Sequence, residues 1–62
     1  MRSDIRMLTT QQLAGRWQIP VSRLENWRYR GEGPAYTKVG RSVRYTLESV
    51  EAFERQQSRV TS

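Results

Sequence analysis

Cysteine and histidine are both absent from this 62-residue sequence. Without thiols there is no disulfide framework, and without either residue type there is no zinc finger, no Cys/His metal centre and no Ser–His or Cys–His nucleophile pair. No apolar stretch approaches the roughly 18 residues of a membrane span. Met1 to Met7 carries only scattered apolar residues, so no signal peptide is read there. A chain this short buries only about 60 % of its unfolded surface, and stability has to come from a small core and from local signals. These absences predict one soluble, cytosolic domain with no cofactor and no metal.

What is plentiful is positive charge. The formal net charge is +5 and the sequence pI about 10.8, the electrostatic footprint of a nucleic-acid binder. Of the 11 basic residues only Lys38 is not arginine. Arg16, Arg23, Arg28, Arg30, Lys38, Arg41 and Arg44 stand against just Glu25 and Glu32, whereas Thr46 to Glu54 holds Glu48, Glu51 and Glu54 and no basic residue. Segregation of this kind predicts a basic working side and an acidic back.

Met1 to Met7 is polar without periodicity and reads as a flexible arm, with the ordered domain at residues 8–57 and a fraying tail at 58–62. Thr9-Thr10-Gln11-Gln12 matches a capping box, with Leu8 and Leu13 at the two positions of a hydrophobic staple. A first helix is therefore expected from Thr9 or Thr10 to about Trp17, with Leu13, Ala14 and Trp17 facing the core. Gly15 inside it suggests close approach of a neighbouring helix. Gln18-Ile19-Pro20 is short enough only for a turn. The second helix has two possible starts: Pro20 in its first turn, or Ser22 with Glu25 as a local capping box. The earlier start is preferred, because the later one leaves barely two turns.

In that second helix, Val21, Leu24 and Trp27 share one face. Ser22, Arg23, Asn26, Tyr29 and Arg30 point the other way, a carboxylate-free surface suited to an anionic, hydrogen-bonding partner such as a DNA groove. An ordinary solvated helix face is the plain alternative. Arg28 lies close to the Leu24 side of the wheel, from where it can snorkel or meet a carboxylate. Gly31-Glu32-Gly33-Pro34 ends the helix, with Gly31 available as a left-handed cap. Residues 35–39 and 42–45 then read as two short strands around Gly40-Arg41, a II′ turn that sets Lys38 opposite Val43 and Tyr36 opposite Tyr45. Tyr36, Val43 and Tyr45 are expected to face the body, Thr37 and Arg44 to face outward, and Arg41 to occupy the tip. Thr46 is the N-cap of a third helix, Leu47 to about Gln57, with Leu47, Val50 and Phe53 as its apolar stripe.

Four segments carry a resemblance: L-T-T-Q-Q-L-A at Leu8 to Ala14, W-R-Y-R-G-E-G-P at Trp27 to Pro34, Y-T-K-V-G-R-S-V-R-Y at Tyr36 to Tyr45, and S-V-E-A-F at Ser49 to Phe53. Together they resemble the small winged-helix proteins of the excisionase type, related to the DNA-binding domains of the MerR superfamily. Pro20 stands where that group commonly has a capping Ser. The resemblance implies an α+β fold, a small winged helix-turn-helix with a two-stranded hairpin wing and a C-terminal helix. It also implies that Ser22, Arg23 and Asn26 reach base edges or nearby phosphates, that Arg28 and Arg30 meet the backbone with Tyr29 beside them, and that Lys38, Arg41, Ser42 and Arg44 come from the wing.

For single residues the plain readings are close competitors. Arg23 offers a bidentate contact to guanine or a simple phosphate contact, and Asn26 a pairing with adenine or an exposed polar surface. Trp17 and Trp27 read as core. No catalytic constellation is present, and Gly31-Glu32-Gly33 lacks the spacing and Lys of a phosphate loop. The expectation is a non-enzymatic, sequence-specific duplex-DNA-binding factor of a phage or integrative element. It would bend DNA at an attachment site beside an integrase and further copies of itself. A small winged-helix transcription regulator is the alternative. A module for RNA or an acidic protein is a third reading, weakened because Tyr36 and Tyr45 are the only aromatics available for a stacking sheet face.

Overall fold

The computed structural model describes residues 7–58, and the element order is β1 (Met7–Thr9), α1 (Thr10–Trp17), α2 (Val21–Arg30), β2 (Thr37–Val39), β3 (Ser42–Thr46) and α3 (Leu47–Ser58). Residues 1–6 and 59–62 of the expected arm and tail lie outside the described residues. Among those described, no helix is long and apolar enough to cross a membrane.

Local chemistry explains where each helix begins and ends. The capping box at the start of α1 is formed in both directions: Thr9 Oγ1 accepts from the Gln12 amide and Gln12 Oε1 accepts from the Thr9 amide, each at 3.0 Å. At its far end Gln18 adopts the left-handed region (φ 56°), so that Gln18 and Ile19 amides donate to the carbonyls of Gly15 and Ala14. Helix α2 takes the earlier of its two starts. Pro20 is its N-cap, without a side-chain capping bond, and the Arg23 amide donates to the Pro20 carbonyl at 3.0 Å. Gly31 closes α2 at φ 72°, with the Gly31 and Glu32 amides on the Arg28 and Trp27 carbonyls. Thr46 caps α3, its hydroxyl accepting from the Ser49 amide at 3.1 Å.

The expected two-stranded hairpin wing, β2–β3, is present, and a third strand not read from the sequence joins it. The sheet has three antiparallel strands in the order β1-β3-β2, and the hairpin's second strand is its centre. Met7, Leu8 and Thr9 pair with Thr46, Tyr45 and Arg44, so Met7, read as part of the arm, belongs to the sheet. On the wing side Thr37, Lys38 and Val39 pair with Arg44, Val43 and Ser42, the register set by the Gly40-Arg41 turn. Positive φ at Gly40 (63°), with none at Arg41, is the II′ pattern.

Side-chain alternation sends Leu8, Val43 and Tyr45 to one face of the sheet, where they join the core. Leu13, Ala14, Leu24, Tyr45 and Val50 form that core, with Trp17, Ile19, Val21 and Trp27 packed on it. Trp17 and Trp27 are core residues, as read from the sequence, and both lean on Phe53, at 5.5 and 5.7 Å between ring centroids. Gly15 does not serve a helix contact: an added Cβ there would meet nothing within 4 Å, and the residue is exposed. The close approach is made by Gly33 instead, at φ 85°, where a Cβ would lie 2.8 Å from Trp27 Cε3.

Candidate nucleic-acid interface

Burying Leu24 fixes the rotation of α2. With Leu24 fully buried and Trp27 half-buried, Ser22, Arg23, Asn26, Tyr29 and Arg30 are all exposed, and Tyr29 is 89 % exposed. The surface predicted from the wheel is therefore offered to solvent as one strip. Glu25, also exposed, flanks it on the Tyr29 side, and Arg30 Nη2 stands 3.9 Å from Glu32 Oε1, an exposed pair that an incoming phosphate can displace.

Wing residues divide between two faces and the tip. Lys38 pairs with Val43 and so shares the body-side face of the sheet, yet on the edge strand β2 it is exposed. Arg41 is exposed at the turn. Ser42 and Arg44 are half-buried on the opposite face, and Arg44 Nη1 donates to the Val43 carbonyl at 2.8 Å. Tyr36 is 43 % exposed, with its ring 6.1 Å from that of buried Tyr45.

One expected contact residue points elsewhere. Arg28 turns inward: its Nη1 donates to the Tyr45 hydroxyl at 2.8 Å and to Thr10 Oγ1 at 3.2 Å, and the guanidinium carbon lies 5.7 Å from the Tyr36 ring centroid. Its place near the Leu24 side of the helical wheel was the sequence signal for this. The partners came from β3 and α1, which the wheel does not show. Through this contact the base of the wing abuts α2.

Helices α1 and α3 are tied by ionic chemistry that sequence reading missed. Glu54 accepts from Arg16 Nε at 2.8 Å, from Arg16 Nη2 at 2.9 Å and from Trp17 Nε1 at 2.6 Å. The Arg16 and Trp17 bonds hold its carboxyl below the usual carboxylate range, partial burial opposes them, and the Arg16 charge adds to the lowering. Arg16 is correspondingly pushed up, chiefly by its bond to Glu54. An i to i+38 ion pair leaves no local trace in a sequence. Arg16 is thereby removed from the basic side and Glu54 from the acidic back.

A solvent-facing strip on the second of two helices joined by a three-residue turn, beside a hairpin, is a helix-turn-helix with a wing. The family model described as a helix-turn-helix domain matches residues 7–58. The chain belongs to the helix-turn-helix domain family. A search of curated proteins gave no match. The match begins at the first residue of β1 and ends at the last of α3, so the helix-turn-helix domain includes the three-stranded sheet. As a helix-turn-helix domain with an exposed basic second helix, it is a double-stranded-DNA-binding module, and α2 occupies the recognition-helix position.

Proposed function

We propose that this helix-turn-helix domain is a sequence-specific accessory factor of the excisionase type. Helix α2 lies in the major groove, where Ser22, Arg23 and Asn26 reach base edges or nearby phosphates. The β2–β3 wing sits beside it, with Lys38 and Arg41 on the minor groove or the phosphates. Several copies bind near an attachment site, bend the DNA, and direct a separate integrase toward excision. Strand cleavage and joining belong to the integrase, and this chain is not an enzyme. It works in the cytoplasm, on DNA.

The observation that carries this reading is the exposed Ser22-Arg23-Asn26-Tyr29-Arg30 strip on a helix whose other side is bonded through Arg28 to the base of a hairpin with an arginine at its tip. The excisionase assignment is supported by the resemblance of residues 8–53, above all the hairpin segment Lys38 to Tyr45. A single module buries only about 600–1,000 Å² of its own surface on DNA, so useful affinity calls for neighbouring copies.

Footprinting and circular-permutation gels on DNA flanking the gene test the whole of it. The expected result is cooperative protection of several short sites together with a bend. Binding with no bend and no cooperativity at any attachment-region fragment would overturn the excisionase reading, and protection confined to a promoter would replace it with transcription regulation.

A further inference from the structure

Of the three arginines in α2, Arg23 and Arg30 face solvent and Arg28 faces the body. Three elements meet at its guanidinium. Nη1 gives its two hydrogens to Tyr45 of β3 and to Thr10, the first residue of α1. The ring of Tyr36, immediately before β2, lies under the same group and against Tyr45. Helix α2 packs its backbone closely on α1, so this side-chain junction is a direct tie between the recognition helix and the wing.

We infer that Arg28 is a positioning residue: it sets the angle and spacing between α2 and the wing, and thereby the selectivity for a DNA site without touching the DNA. This rests on the reading that α2 and the wing engage one duplex together. Two features read at once by two elements demand a fixed separation, and bidentate contacts to bases tolerate little misplacement. Sequence-independent attraction to phosphates has no such demand, because it depends on charge and not on register. The junction needs guanidinium geometry as well as charge. One terminal nitrogen donates to two hydroxyls while the guanidinium carbon stands 5.7 Å from the Tyr36 ring centroid, a spread of contacts that a compact point-charge ammonium does not reproduce.

The test uses Arg28→Met, Arg28→Lys and Tyr36→Leu. Each is titrated by fluorescence anisotropy, over a range of salt, against a duplex selected by the unsubstituted chain from a random pool and against a scrambled duplex. Circular dichroism and urea melts establish that each variant is folded, and Tyr36→Leu, at a part-exposed ring, leaves the buried core in place. The expected result for both Arg28 variants is a fall of about tenfold in the selected-to-scrambled ratio, the scale of one charge-assisted hydrogen bond, with scrambled-duplex affinity and salt slope unchanged. Tyr36→Leu should move the ratio in the same direction by a smaller factor. Uniform weakening by Arg28→Met with a salt slope lower by about one would make Arg28 a phosphate contact and overturn the inference. A parental ratio in Arg28→Lys, or unchanged ratios throughout, would do the same. A selective parent with unaffected variants removes the positioning role alone, whereas a parent that selects no duplex removes the DNA reading and the inference together.

Discussion

Gly15 and Gly33 sit at opposite ends of what one methyl group costs. Inside α1, Gly15 is exposed and has open space where a Cβ would stand, so alanine there only trims the freedom of the unfolded chain. Gly15→Ala should raise stability by about 0.5–1 kcal/mol. Gly33 combines φ 85° with a Cβ position 2.8 Å from Trp27 Cε3 and 3.2 Å from Trp27 Cβ. Gly33→Ala should cost about 1–3 kcal/mol. Urea midpoints at unchanged m-value read both, and a stabilising Gly33→Ala would contradict the packing described. At the interface, Arg23→Ala should lower preference for the cognate site, whereas Arg41→Ala should weaken all duplexes evenly and reduce the salt slope by roughly one. A footprint titration in which Arg23→Ala leaves the specific-to-random ratio intact would remove the base-reading role from Arg23.

At the scale of elements, α3 is fastened to α1 by a carboxylate. Glu54 is held low by its bonds from Arg16 and Trp17, so the stability it contributes is complete above the usual carboxylate range and is lost as pH falls through its folded-state pKa. The side chains of Arg16 and Glu54 are 38 % and 33 % exposed, which keeps the effect on the modest scale of surface pairs. Thermal melts should therefore drop on acidification from neutral pH, and Glu54→Gln should be less stable at neutrality with a shallower acid dependence. An unchanged acid limb in Glu54→Gln would show that the clamp contributes nothing. The helices were legible because their boundary signals are local: Thr9 with Gln12, Gly31, and Thr46 with Ser49 each act within three or four residues. Strand β1 was not legible, since three residues with no alternation to speak of become a strand only by pairing with β3.

For the molecule as a whole, the charge balance of +5 is divided between jobs. Arg23, Arg30, Lys38 and Arg41 are exposed on α2 and the wing, Arg28 is bonded from α2 to Tyr45 of the wing, and Arg16 is bound to Glu54 of α3. Counting arginines along the chain thus overstates the working face. Arg16→Ala should lower the melting temperature yet leave the salt slope of duplex binding unchanged, while Lys38→Ala combined with Arg41→Ala should flatten it by about two. Equal slope changes from Arg16→Ala and Arg41→Ala, measured by anisotropy at several salt concentrations, would abolish the distinction between a basic working side and the rest.

The residues alone determined the helix caps at Thr9, Gly31 and Thr46, the II′ turn and its register, the apolar stripe of each helix, and which strip of α2 is left polar. All of these follow from interactions spanning a few positions or from helical and strand periodicity. Tertiary structure decided the third strand, the turning inward of Arg28, the clamp on Glu54 and the close approach of Gly33 to Trp27. Each of those joins groups whose proximity exists only after the chain has closed on its core, and periodicity along one element says nothing about what waits across from it.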